Sequence, residues 1–285
     1  MDTLSMTQWD TVTVVGAGLI GGSVGLALQR RGLVRQVIGV GRRESSLRRA
    51  KQLGVVTATT TSLELGVKEA EFVVVATPVE TVVDRIRAVA DHCLPDAVVT
   101  DAASTKQSIV ESIGDNGLGD LFVGSHPMAG SEKTGPEAAD PDLFQGRLVV
   151  VTPTGETAVQ RTEIVERFWE SLGARTLQMD PAVHDEAVAN ASHLPHVLAS
   201  ALAATANERA LSVVGTGWLD TTRIAAGDAE LWRQILMDNR SRIIAEIDKL
   251  SGVLTGFRQA LADSNDAELI RLLQQGKERR DAVGN

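Results

Sequence analysis

Three of the five histidines fall where site-building loops or helix ends are expected: His126 in GSHPMAG, and His193 with His196 in ASHLPH. His126 follows the β-rich run that starts at Leu121 and precedes Pro127 and Gly130, which puts it at the carboxyl end of a strand. Ligands of open α/β sheets bind along that edge. An imidazole titrates near neutrality, so it can accept the proton of an alcohol as hydride leaves the same carbon; a histidine that merely closes a loop is the plainer alternative. His193 and His196 stand three apart, a spacing that can ligate a metal from one helix face. With no third ligand, no HExxH and no cysteine pair, the spacing favours substrate contact or structural hydrogen bonding, and no metal is expected. Pro195 between them should kink or restart the helix. His92 and His184 lie in polar helical surroundings and read as solvated surface side chains.

The stretch GTGWLDTTRIAAGDAELWRQI brings Gly215, Gly217, Asp220, Arg223 and Trp232 into a glycine-broken loop leading into a helix. A guanidinium clamps a carboxylate through two parallel hydrogen bonds, so Arg223 suits an anionic substrate in an otherwise acidic chain. A structural pair with Asp220 is equally open. Near the start, Gly16-Ala17-Gly18-Leu19-Ile20-Gly21 follows a β-rich run and opens a helical one, the context that a dinucleotide fingerprint requires. Gly16 permits the tight turn, Gly18 lets the backbone approach a pyrophosphate, and Gly21 lets helix and strand pack closely. The helix N-terminus adds free N–H groups and a favourable dipole. NAD sites usually carry an acidic residue at the end of the second strand. Here that strand ends Val40-Gly41-Arg42-Arg43, two guanidinium groups placed for a 2′-phosphate. NADP is therefore expected in preference to NAD, with solvated helix-start arginines as the alternative and Glu44 close enough to compete.

These side chains need a scaffold, and the first half of the chain provides its pattern. β-rich runs at 11–16, 36–41, 71–78, 96–104, 121–130 and 147–154 alternate with helical stretches. They are continuous rather than alternating, as in a parallel sheet covered on both faces. From about Asp180 the β-rich runs give way to Ala- and Leu-rich stretches of helical periodicity. The expected organisation is an α/β dinucleotide-binding domain of Rossmann type over 1–179, followed by an all-helical domain over 180–285. In the latter, IIAEIDKLSGVLTGFRQAL keeps an apolar stripe that needs a surface to pack on, some of it from a second subunit. The polar tail QQGKERRDAVGN is expected to fray.

With 285 residues and 43% hydrophobic content the chain can bury a sizeable core. A net charge of -9 argues against a nucleic-acid surface. No apolar run is long enough for a bilayer, and MDTLSMTQWD lacks a signal pattern, so a cytoplasmic protein without membrane contact is expected. Cys93, the single cysteine, cannot form an internal disulfide and reads as inert. With aromatics at 3% and no tyrosine, the core must be largely aliphatic.

In order and at compatible spacing, GAGLIGGS, ATPVE, DAASTK, GSHPMAGSEKTG, SHLPH, DTTRIA and ELWRQI resemble the prephenate/arogenate dehydrogenase family over nearly the whole chain. The resemblance implies a helical domain that dimerises and oxidative decarboxylation of a cyclohexadienyl acid. It implies that His126 takes the ring hydroxyl proton, assisted by Ser104, with Glu132 at the mouth of the site. His193, His196 and Arg223 would hold the carboxylates and orient the ring beside Asp220, with Trp232 near the dimer-side wall. Thr77 and Pro78 of ATPVE would join Gly16, Gly18, Leu19, Ile20 and Gly21 at the cofactor. Thr216 departs from the more glycine-rich loop of relatives. Two rivals remain: a related β-hydroxyacid or imine dehydrogenase with Lys106 as acid or base, and a non-catalytic NADP sensor.

Overall fold

The computed structural model describes residues 9–284; the MDTLSMTQ start and Asn285 lie outside them. Eight strands alternate with six helices: β1 (Trp9–Val15), α1 (Leu19–Arg30), β2 (Val34–Val40), α2 (Glu44–Gln52), β3 (Ala58–Thr60), α3 (Leu63–Val67), β4 (Phe72–Val75), α4 (Val79–Ala90), β5 (Val98–Asp101), α5 (Gln107–Gly114), β6 (Phe122–Pro127), β7 (Leu148–Thr152), α6 (Val159–Ser171) and β8 (Arg175–Gln178). They form one sheet in the order β3-β2-β1-β4-β5-β6-β7-β8. In β1, Val12–Val15 lie between Val37–Val40 of β2 and Phe72–Val75 of β4. The strand order reverses about β1, and a crevice opens where the carboxyl ends of β1 and β4 diverge.

Both faces of the sheet are covered, which is why the strands read as unbroken apolar runs. Val12, Val14, Phe72 and Val74 face one core with α1 and α6. Val15, Val73 and Val75 face the other, with α4 and α5. The core is mainly aliphatic, but most of its few aromatics are gathered on one side, where Phe72 stacks on Phe168 at 4.0 Å and Trp9 meets Phe72 edge-on.

The sheet departs from the sequence expectation in three places. β7 runs antiparallel to β6, because the connection from Met128 to Arg147 holds only a 3₁₀ turn and no crossover helix. The three-residue β3 and the polar edge strand β8 carry too little apolar signal to stand out.

Beyond the sheet lie α7 (Pro181–Val188), a π turn (Ala189–His193), α8 (Leu194–Thr205), α9 (Glu208–Leu211), α10 (Thr216–Thr222), a 3₁₀ turn (Arg223–Ala226), α11 (Ala229–Asp238), α12 (Arg240–Ala262) and α13 (Asp266–Asp281). Asp180 caps α7 by accepting from Ala182 N and Val183 N. The π turn ends just before Pro195, in the first turn of α8, so the helix restarts where the proline cannot donate. The segment expected as a glycine-broken loop is largely helical, as α10 and the 3₁₀ turn. The tail expected to fray is helix as far as Asp281.

By compactness the chain divides between Asn239 and Arg240, later than the change in sequence pattern at 180, because α7 packs on α5 and β7 and α11 packs on α4. The α12–α13 unit is a helical hairpin in which Gly256 faces Leu272. No helix among the described residues is long and apolar enough to cross a membrane.

Candidate active site

A cleft of about 620 Å³ lies at the carboxyl edge of the sheet. Its floor comes from Gly18–Ile20 at the start of α1, Ala76–Val79 after β4, Ala102–Ser104 after β5 and His126–Gly135 at the end of β6. Its far wall carries His196, Arg223, Leu231 and Trp232.

The nucleotide end is shaped by glycine. Gly16 has φ +99°, and a Cβ there would lie 2.5 Å from the Ala76 carbonyl oxygen. A Cβ on Gly21 would meet Gly16 O at 2.2 Å, so α1 approaches β1 as closely as backbone allows. Gly18 faces open space and caps α1 without a side-chain acceptor, leaving first-turn N–H groups for an anion. Thr77 adds a buried hydroxyl with no hydrogen-bond partner in the cleft wall. This turn fits a dinucleotide pyrophosphate. Arg42 and Arg43 are exposed beyond β2, Arg43 at the N-cap of α2, and the competing Glu44 is engaged by Arg48 at 3.1 Å.

His126 is 7% exposed and borders the cleft from β6. Its Nδ1 lies 2.9 Å from Nε2 of His184, whose Nδ1 lies 2.8 Å from Oδ1 of Asp185. Asp185 accepts from Lys106 N at 2.8 Å and Gln107 N at 3.0 Å, the opening of α5. Burial pushes His126 well below the ordinary histidine range, reinforced by His184, Lys106 and His193. Burial opposes ionisation of Asp185, yet the His184 hydrogen bond and the two backbone N–H groups hold its carboxyl below the usual value.

His184 is thus not the solvated histidine expected from its polar neighbours; it is fully buried. The signal lay in spacing. Pro181, His184, Asp185 and Val188 recur at three, four and seven residues and form the buried stripe of α7. Asn239 donates to the Asp185 carbonyl at 2.7 Å and was also not singled out by sequence.

Ser104 lines the cleft on the loop after β5, the strand beside β6. Lys106 does not border it: fully buried, its Nζ pairs with Asp101. Asp101 also accepts from Ser125 N, and the Ser125 hydroxyl accepts from the Trp169 indole.

On the far wall His196 stacks on Trp232 with ring centres 3.6 Å apart, and burial lowers its pKa. Gly227 makes room for that stack, since a Cβ there would lie 2.8 Å from the Trp232 indole nitrogen. Arg223 reaches Glu132 at 3.3 Å across the mouth, not Asp220, which is exposed on α10 and outside the lining. His193 is buried behind the wall near Asn239, and burial takes its pKa to about 4 against the pull of Asp185. Among the described residues no group of three or more His, Cys, Asp or Glu side chains is arranged to hold a metal ion.

Residues 24–178 match the family model for the prephenate dehydrogenase nucleotide-binding domain, and residues 180–275 match the model for the prephenate dehydrogenase dimerization domain. The chain is 32% identical to a prephenate dehydrogenase of Bacillus subtilis (strain 168) over 283 residues, 96% of this chain and 76% of that one. Among solved structures it superposes on a prephenate dehydrogenase from A. aeolicus, in complex with hydroxyphenyl propionate and NAD+, with a TM-score of 0.89 and 32% identity, covering 99% of this chain and 100% of that one. A Synechocystis arogenate dehydrogenase matches with a TM-score of 0.80 and 31% identity, covering 96% and 99%.

Proposed function

The chain belongs to the prephenate dehydrogenase family, and from that premise we propose that it oxidatively decarboxylates a cyclohexadienyl acid, prephenate or arogenate, in tyrosine biosynthesis. One observation carries the assignment of roles: His126, Arg223 and the glycine turn of α1 border the same cleft. NADP or NAD bound along Gly16–Gly21 and Thr77–Pro78 supplies the hydride acceptor. The substrate carboxylates are held by Arg223 and His196, with Trp232 as the apolar wall, Ser104 beside the hydroxyl, Glu132 at the mouth and His193 behind the wall. Because Glu132 engages Arg223, a substrate carboxylate competes with it for the guanidinium.

His126 accepts the hydroxyl proton while hydride leaves the same carbon. The electrons of the departing carboxylate then aromatise the ring as carbon dioxide is released. Aromatisation supplies the driving force, so the residues chiefly position the ring and accept one proton. Burial keeps His126 neutral, the form in which it acts as a base.

The cofactor is NADP in preference to NAD. Arg42 and Arg43 support this, as does the engagement of Glu44 by Arg48. The dinucleotide-binding domain is 1–179, and the helical domain over 180–285 carries the substrate wall and the dimer contact. The enzyme works in the cytoplasm, in keeping with a lone cysteine.

Initial rates with prephenate and arogenate crossed against NAD and NADP test this directly. Turnover of one ring acid, faster with NADP, is the expected result. Folded, cofactor-binding protein silent in all four combinations overturns the assignment, and faster turnover with NAD overturns the cofactor preference alone.

A further inference from the structure

We propose that His184 and Asp185 are positioning residues that fix the tautomer of His126, so that its Nε2 presents a lone pair to the cleft. The inference deepens the reading of His126 as the base and rests on it.

A carboxylate has only acceptors to offer. The hydrogen at His184 Nδ1 must therefore point at Asp185 Oδ1, 2.8 Å away. In the neutral form of His184 the ring carries that one N–H, so its Nε2 is left as an acceptor. It lies 2.9 Å from His126 Nδ1, which must then be the donor of that bond. By the same exclusion His126 Nε2 carries no hydrogen, and it is the nitrogen left to meet the ligand in the cleft. Asp185 cannot swing away from this duty, because its two oxygens also accept from Lys106 N and Gln107 N. The chain of donors is fully buried: His184 is 0% and Asp185 2% exposed. Water therefore does not offer the His184 ring an alternative partner. Without the His184 acceptor nothing holds the His126 hydrogen on Nδ1, and the tautomer bearing hydrogen on Nε2 cannot accept a proton there.

Asp185→Asn is a poor probe. An asparagine can keep its oxygen toward Lys106 N and His184 and lose only the Gln107 contact, which leaves the tautomer unchanged. His184→Leu removes the acceptor at similar bulk. His184→Gln can return an acceptor, its amide oxygen, near the position of Nε2.

The test combines kinetics with 15N spectra of histidine-labelled enzyme, with the His126 signals assigned by their loss in His126→Asn. The wild-type spectrum should show His126 with its hydrogen on Nδ1 and an unprotonated Nε2. Because an Nδ1–H facing leucine has no acceptor, His184→Leu should lower kcat by about 100-fold with KM little changed, and should move the His126 spectrum to mainly the Nε2-protonated tautomer. His184→Gln should recover kcat to within about tenfold of wild type, as conservation of the acceptor requires. A wild-type His126 with its hydrogen on Nε2, or a His184→Leu enzyme as fast as wild type, overturns the relay. A fully active His126→Asn instead overturns the base assignment, so the two failures are told apart.

Discussion

His126 acts from inside the protein, and its variants should separate chemistry from binding. His126→Asn should lower kcat by about 10²- to 10⁴-fold with KM within a few-fold of wild type, measured in steady-state assays. Arg223→Ala should act the other way, raising KM roughly ten- to hundredfold while kcat falls less, because the clamp binds ground and transition states alike. Burial depresses His126, so the acid limb of kcat/KM against pH should fall below the ordinary histidine range rather than near 6.5. Stability follows the same sign. His193 titrates about 4 when folded and 6.5 when not, so between those values the unfolded chain binds more protons. Its contribution, about 3 kcal/mol, is complete above 6.5 and is lost as pH falls toward 4; equal denaturation midpoints at pH 7 and pH 4.5 would contradict it. His126 was legible because HPMAG places it at a strand end. His184 was not, because its polar neighbours Asp185 and Glu186 read as a solvated face, whereas Asp185 is itself buried beside it while Val183 and Glu186 face solvent.

The strands that could be read were those covered on both faces. Val12–Val15 and Phe72–Val75 form unbroken apolar runs because α1 and α6 cover one side and α4 and α5 the other. β8, exposed at the sheet edge, has no such pressure on its composition, and the reversal of β7 depends on where a long loop returns, which no local pattern encodes. The fingerprint glycines were legible for the opposite reason: they mark where side chains cannot be. Gly21→Ala would set a Cβ 2.2 Å from Gly16 O and force α1 away from β1. We expect a loss of roughly 1–3 kcal/mol in denaturant unfolding together with weaker cofactor binding by titration. Gly18→Ala, which meets open space, should leave stability nearly intact while still weakening the cofactor.

For the molecule as a whole, the sequence placed the change to helix near 180 but not the extent to which helices after it belong with the sheet. α7 and α11 pack on α5 and α4, so Asn239 and not residue 179 ends the first compact unit. The second unit leaves Leu261 and Ile270 more than half exposed, in a stretch that matches a dimerization domain. A homodimer in sedimentation, converted to monomer by Leu261→Glu with Ile270→Glu, is the expected outcome; an unaltered mass would move the contact elsewhere. The hydrogen-bond chain that positions His126 crosses the change in pattern at 180: its base is on a strand, its two supports on α7, and their anchor at the start of α5. Modularity is thereby limited. A chimera that took its sheet from one relative and its helices from another could inherit a good nucleotide pocket and still be inert, unless both parents agreed on the geometry across that single histidine–histidine contact.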